Sequence, residues 1–202
     1  MKILVFSDTH GDRRALHRLV EIEADYYFAA GDIVSWGRGL DAAGEILALR
    51  AERMYVLPGN HESEAAISGM CERRRLHPFH GRVLEAGGFH IAGLGYSTPT
   101  PFNTPGEYSE AEMARRLEPF SGLNPLILIC HAPPHGTTLD RMPGDAHGGS
   151  RSVRTFIDQH QPAAFFCGHI HEAWGCQEQF GRTRAWNAGP LGVLLDLGAF
   201  TA

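Results

Sequence analysis

The run Lys2-Ile3-Leu4-Val5-Phe6 carries four apolar side chains and then stops abruptly at Ser7-Asp8-Thr9-His10-Gly11-Asp12. A short apolar run rich in branched and aromatic residues, bounded by Ser and Gly, fits a strand covered on both faces, as in parallel sheets flanked by helices. In such sheets chemistry collects just beyond the carboxyl ends of the strands. Asp8 and His10 stand there. One residue apart on a tight loop, an oxygen and a nitrogen donor can converge on one metal ion, although an Asp there can equally cap the next helix.

The same design recurs four more times. Asp25 to Ala30 runs into Gly31-Asp32, and Arg53 to Leu57 is stopped by Pro58-Gly59 and followed by Asn60-His61-Glu62. Asn60 is also a suitable cap for a helix reaching about Arg74. Pro125 to Cys130 ends at His131, and Ala163 to Cys167 ends in Gly168-His169-Ile170-His171, whose histidines, two apart on an extended strand end, would point to one side. Amphipathic spacing predicts helices over 13–23 and 40–51, and a Ser109/Glu112 capping box predicts another over 109–118. Residues 82–94 read as a hairpin about Gly87-Gly88. The stretches 176–180, 183–187 and 191–197 read as antiparallel strands completing a second sheet.

With 202 residues the chain suits one domain spanning 1–202. A net charge of −5 offers no basic field for nucleic acid or an acidic membrane, so a small-molecule partner is expected. The chain starts directly on a strand without a leader pattern, and its four cysteines are too scattered for a disulfide framework or a thiolate zinc site. The expected setting is a reducing cytoplasm.

Asp8, His10, Asp32, Asn60, His131, His169 and His171 are all oxygen or nitrogen donors. That mix suits Mn, Fe, Zn, Co or Ni, and exceeds what one tetrahedral zinc site needs. Two metals sharing a carboxylate would account for it, and such a pair can clamp a phosphoryl group and activate a water.

The ordered set Asp8-Thr9-His10, Gly31-Asp32, Gly59-Asn60-His61-Glu62, His131 and Gly168-His169-Ile170-His171 resembles the calcineurin-like metallophosphoesterase superfamily, in a compact form of prokaryotic type. The resemblance implies an α/β fold, a four-layer α/β/β/α sandwich of two mixed sheets flanked by helices. It implies that Asp8, His10, Asp32 and His171 hold a first metal and Asp32, Asn60, His131 and His169 a second, most readily Mn or Fe, with Zn, Ni, Co or Mg as substitutes. It further implies attack of a metal-bridging hydroxide on a small phosphomonoester or phosphodiester. Asp32 and His61 would be catalytic, His61 protonating the leaving alkoxide, while Asn60 and His61 touch the substrate.

Where the protein phosphatase branch has an acidic residue and an Arg after Gly-Asp, this chain has Ser35-Trp36-Gly37, which argues against protein phosphatase activity. Specificity is then expected from Trp36 and from loops 97–108 and 132–150, with His135, His147 and Arg151 as candidate phosphate contacts. Two alternatives are a catalytically silent interaction scaffold on the same fold and a metal-dependent nuclease. Trp36 and Phe102 suit either a pocket or a homo-oligomer interface.

Overall fold

A computed structural model describes residues 1–200, with only the backbone of Phe200; the last two residues of the expected domain, 201 and 202, lie outside the described residues. The first sheet has the order β11-β1-β2-β3-β4. Its strands β1 (Lys2–Phe6), β2 (Tyr26–Ala30), β3 (Met54–Leu57) and β4 (His77–Pro78) run parallel, and β11 (Val193–Asp196) lies antiparallel to β1. The second sheet has the order β5-β6-β7-β8-β10-β9. It is built from β5 (Arg82–Ala86), β6 (Phe89–Leu94), β7 (Leu126–Cys130), β8 (Ala164–Cys167), β9 (Gln177–Phe180) and β10 (Thr183–Asn187).

The period of two along β1 explains the layering. Ile3 and Val5 join Phe28, Leu57, Ile91, Ile129 and Phe166 in the core between the sheets. Leu4 and Phe6 face the other way, onto a core shared with α1 (Arg13–Glu21), α2 (Leu40–Leu47) and α3 (Glu64–Arg74). A third core packs Leu128 and Phe165 against Met113 and Leu117 of α4 (Glu110–Leu117) and Val153 and Ile157 of α5 (Arg151–His160). Helices, sheet, sheet and helices thus form the four layers. Two-sided burial is why these strands read as continuous apolar runs.

Several expectations change. α1 ends at Glu21, and α2 stops at Leu47, giving way to a 3₁₀ stretch at Ala48–Arg53 in which Arg50 leaves helical geometry. Asp12, and not Asp8, caps α1, its Oδ1 accepting from Arg14 N and Ala15 N at 2.9 and 3.1 Å. Ser63, and not Asn60, caps α3, its Oγ accepting from Ala66 N at 3.2 Å. Both ligand candidates are therefore free of capping duty. At α4 only half of the expected capping box forms, because the Glu112 carboxylate turns to Arg116 at 2.7 Å. The largest correction concerns residues 191–197: they do not finish the second sheet but return to the first, pairing Leu195 with Ile3. This placement covers the open side of β1 and buries Leu195 between the sheets. β10 pairs parallel with β8 and antiparallel only with β9.

Among the described residues no helix is long and apolar enough to cross a membrane. All four cysteines are free; Cys71, Cys130 and Cys167 are buried. Burial pushes the Cys71 and Cys130 thiols up to about 12 and raises Cys167 well above its ordinary range. Since the thiolate is the reactive form, a disulfide-exchange reagent at pH 8 should titrate at most Cys176 rapidly in the native protein. Unfolding in guanidinium should release all four thiols. Rapid labelling of more than one thiol without denaturant would contradict this packing.

Candidate metal centre

Four donors are held in left-handed backbone: Asp8 (φ 54°), His10 (φ 45°), Asp32 (φ 51°) and His169 (φ 71°). This region costs a non-glycine residue of order 1–2 kcal/mol and persists where neighbours over-determine it. Here the loops after β1 and β2 bond to each other, Asp8 N–H to Gly31 O at 3.0 Å, His10 N–H to Asp32 O at 3.0 Å and Gly11 N–H to Ile33 O at 2.7 Å. The strand ends of the second sheet close on them from the other side. His169 N–H donates to both Asp8 oxygens at 3.1 Å, and His131 Nδ1 donates to Ala30 O at 2.8 Å.

The donor atoms gather in overlapping groups. Asp8, His10 and His171 offer ligand atoms within 4.8 Å of one another, as do Asp32, His131 and His169, and also His10, Asp32 and His61. Asn60 joins the second group, its Oδ1 lying 2.8 Å from His169 Nδ1 and 3.2 Å from His131 Nε2. Asp32 faces both sides, its Oδ2 standing 3.5 Å from His131 Nε2 and 4.0 Å from His10 Nε2. Its Oδ1 takes the His61 backbone N–H at 2.9 Å. All seven residues expected as ligands are thus brought together, with His61 beside them. His169 and His171 do not share one extended strand face; the left-handed turn at His169 sends the two rings to different groups.

Charge in this cluster follows burial and pairing. Burial pushes His10 down to about 4 and His169 down to about 3, leaving neutral rings with free lone pairs. Burial would also lower His131, but the carboxylates of Asp32 and Asp8 outweigh it and raise that ring to about 9. Burial alone would raise Asp32; His131 overcomes it and holds the carboxyl well below the usual range, while burial prevails at Asp8 and raises it. The His10 and His171 Nε2 atoms stand only 2.9 Å apart. Nitrogen donors turned on one another beside buried carboxylates fit divalent cations. Because His131 Nδ1 is tied to Ala30 O, its Nε2 is the atom offered to a metal.

Sequence reasoning named Glu62 within a motif but gave it no role. Its fully buried carboxylate accepts from Asp32 N (3.1 Å), Val34 N (2.8 Å) and Gly59 N (2.9 Å), tying the loops after β2 and β3 together. Burial and the charge of Asp32 push it up to about 8 against those donors. The available signal was an acid directly after two candidate site residues, Asn60 and His61, in a segment without Lys or Arg. Gly59 is needed for a different reason: a Cβ there would lie 2.0 Å from Asp32 Oδ1.

A cavity of about 440 Å³ opens over the cluster, with Asp32, Asn60, His61, His169 and His171 on its floor. Its walls come from residues 98–102, from Met142, His147 and Gly148, and from Ile170 and Glu172, so both expected specificity loops contribute. The first wall is fastened to a ligand. Asn60 Nδ2 donates to Thr104 Oγ1 at 3.2 Å, which donates to Glu107 Oε1 at 2.6 Å. The amide oxygen of Asn60 is thereby turned to the histidines. Arg151 lies elsewhere, in a cleft between α4 and α5 with Leu117 and Thr155, because its N–H and that of Ser152 are bound to Glu110 at the start of α5. His147 lines the cavity and His135 does not.

Comparison with known proteins agrees with this architecture. The description "calcineurin-like phosphoesterase" matches residues 1–173. An uncharacterized protein of Methanocaldococcus jannaschii is 34% identical over 197 residues, covering 94% of this chain and 88% of its own. The crystal structure of a Thermus thermophilus protein superposes with a TM-score of 0.75 at 21% identity, covering 98% of this chain and 95% of the other. The phosphopantetheinyl hydrolase of Mycobacterium tuberculosis gives a TM-score of 0.63 at 18% identity, covering 93% and 88%.

Replacing Glu62 by Ala would orphan three buried N–H groups at about 1–3 kcal/mol each. The expected outcome in urea unfolding is a loss of about 3 kcal/mol or more; a change below about 1 kcal/mol would refute this role. Gly59→Ala should displace Asp32 and weaken divalent-cation binding by about tenfold or more in calorimetry.

Proposed function

The chain belongs to the calcineurin-like phosphoesterase family, and from that premise we propose that it hydrolyses a small phosphomonoester or phosphodiester at a dinuclear metal centre. The observation that carries this reading is Asp32, common to the donor groups His10–Asp32–His61 and Asp32–His131–His169, on the floor of a cavity of about 440 Å³. Asp8, His10, Asp32 and His171 would hold one ion and Asp32, Asn60, His131 and His169 the other. Mn or Fe is the preferred pair, given the hard and borderline donors. Bound there, such ions supply Lewis-acid polarisation of phosphoryl oxygens and lower the pKa of a coordinated water.

The protein's own groups do the rest. The backbone N–H of Trp36 donates to His61 Nδ1 at 3.3 Å, which leaves the ring proton on Nε2. His61 is thus set to hold a proton for the departing alkoxide, within a T-shaped contact of Trp36 at 5.4 Å and of His10 at 5.2 Å. Phe102, 72% exposed, lines the cavity as apolar surface for the rest of the ester, while Trp36, 47% exposed, lies outside that lining and packs on His61. A net charge of −5 and a lining free of Lys and Arg disfavour a nucleic-acid substrate. With four free thiols the protein suits a reducing cytoplasm.

Metal-stripped protein should hydrolyse p-nitrophenyl phosphate or bis-p-nitrophenyl phosphate only after Mn or Fe is restored, and the preferred ester identifies the class. Asp32→Asn should lower turnover at least about 100-fold, as expected when a shared ligand is lost. Turnover that survives both chelation and this substitution would overturn the proposal.

A further inference from the structure

A phosphate ester carries negative charge into a cavity whose lining contains no lysine or arginine among the described residues; the nitrogen bases available are His61, His147, His169 and His171. Three of these belong to the donor cluster. His147 does not.

The loop that carries His147 is folded around one carboxylate. Asp140 is fully buried. Its Oδ1 accepts from Thr137 N at 2.8 Å and His147 Nδ1 at 2.7 Å, and its Oδ2 from Gly136 N at 3.1 Å and Gly149 N at 2.9 Å. Burying a carboxylate is costly unless its oxygens are met by donors, and here backbone N–H groups from both ends of the loop meet them. Gly149 permits the approach, since a Cβ there would lie 2.8 Å from Asp140 Oδ2 and 2.6 Å from Pro133 O. The second imidazole near Asp140, His135, stands 3.7 Å from Oδ2 and lies outside the cavity lining. A carboxylate meeting N–H donors on both oxygens acts as acceptor, so His147 Nδ1 bears a proton. The other ring nitrogen, Nε2, has no partner among the described residues, and the side chain is 31% exposed where it lines the cavity.

We propose that His147, oriented by Asp140, is the phosphate-gripping group of this chain, its protonated Nε2 donating to a non-bridging phosphoryl oxygen. It takes the place sought for Arg151. The ring then lies between two negative partners, the Asp140 carboxylate behind and the phosphate in front, the arrangement in which charge-assisted hydrogen bonds are strongest. The inference rests on the phosphoesterase reading above and adds a substrate contact to it.

The test compares wild type with His147→Asn, His147→Gln and Asp140→Asn in the metal-loaded full chain. Asn retains an N–H near the Nδ1 position and so keeps the bond to Asp140, whereas Gln carries its N–H toward the Nε2 position. Three quantities are read: KM and kcat for p-nitrophenyl phosphate, the affinity for inorganic phosphate by calorimetry, and metal content with melting temperature. His147→Asn should raise KM and weaken phosphate binding about tenfold or more, the scale of one charged hydrogen bond, with metal content and melting temperature unchanged. His147→Gln should recover part of both, and Asp140→Asn should shift them in the same direction as His147→Asn. Unchanged KM and phosphate affinity in His147→Asn would overturn the inference and reduce the pair to a loop fastening. So would a rise in KM that tracks loss of metal or of melting temperature. If wild type turns over no ester yet loses phosphate affinity on His147→Asn, the contact stands and the hydrolase reading falls.

Discussion

The buried carboxyl group of Glu62 sets the frame on which the candidate metal centre depends. It gathers the N–H groups of Asp32, Val34 and Gly59, which lie on the loops after two neighbouring parallel strands. Those loops have no regular secondary structure to satisfy their backbone there, and an unmet buried N–H is expensive. Fixing them fixes Asp32, and fixing Asp32 locates both donor groups. The left-handed conformations at Asp8, His10, Asp32 and His169 are affordable only because hydrogen bonds from adjoining loops hold each one.

The strand ends were legible because strands buried on both faces must be apolar throughout, so a carboxylate or imidazole at the end of such a run is conspicuous. The five runs leading to Asp8, Asp32, Asn60, His131 and His169 were legible through their repetition, since each polar residue taken singly could equally cap a helix or fill a turn. What local pattern does not encode is destination. Val193–Asp196 has the same alternation whether it completes one sheet or the other, and only the open side of β1 decides. Likewise Asn60 and Ser63 are both good caps, and the helix start is settled by which side chain has a competing use. Arg151 had the right chemistry for phosphate but sits at the first turn of a helix whose start is bound by Glu110, facing another cleft. Its absence from the cavity, and the presence of His147, are consequences of loop path, which no short-range pattern carries.

The two cavity walls are anchored in physically different ways. The 97–108 wall is tied to the donor cluster through Thr104 and Asn60, and Gly106 N–H adds a bond to Asn60 O at 3.0 Å. Movement of that wall therefore acts on the Asn60 amide. The 132–150 wall carries its own buried organising group, Asp140, with hydrogen bonds inside the loop. The first wall is tied to a donor residue, whereas the second is organised about Asp140 and bonded outward to Glu178 and Asn187.

The placement of β11 gives the fold a long-range seam. β1, with Asp8 and His10 at its end, pairs with β2 on one side and with Val193–Asp196 on the other. A pairing between segments so distant in sequence gains its contacts only after a large loop has closed. The strand that presents the first two donors is therefore sealed by the most non-local pairing of its sheet.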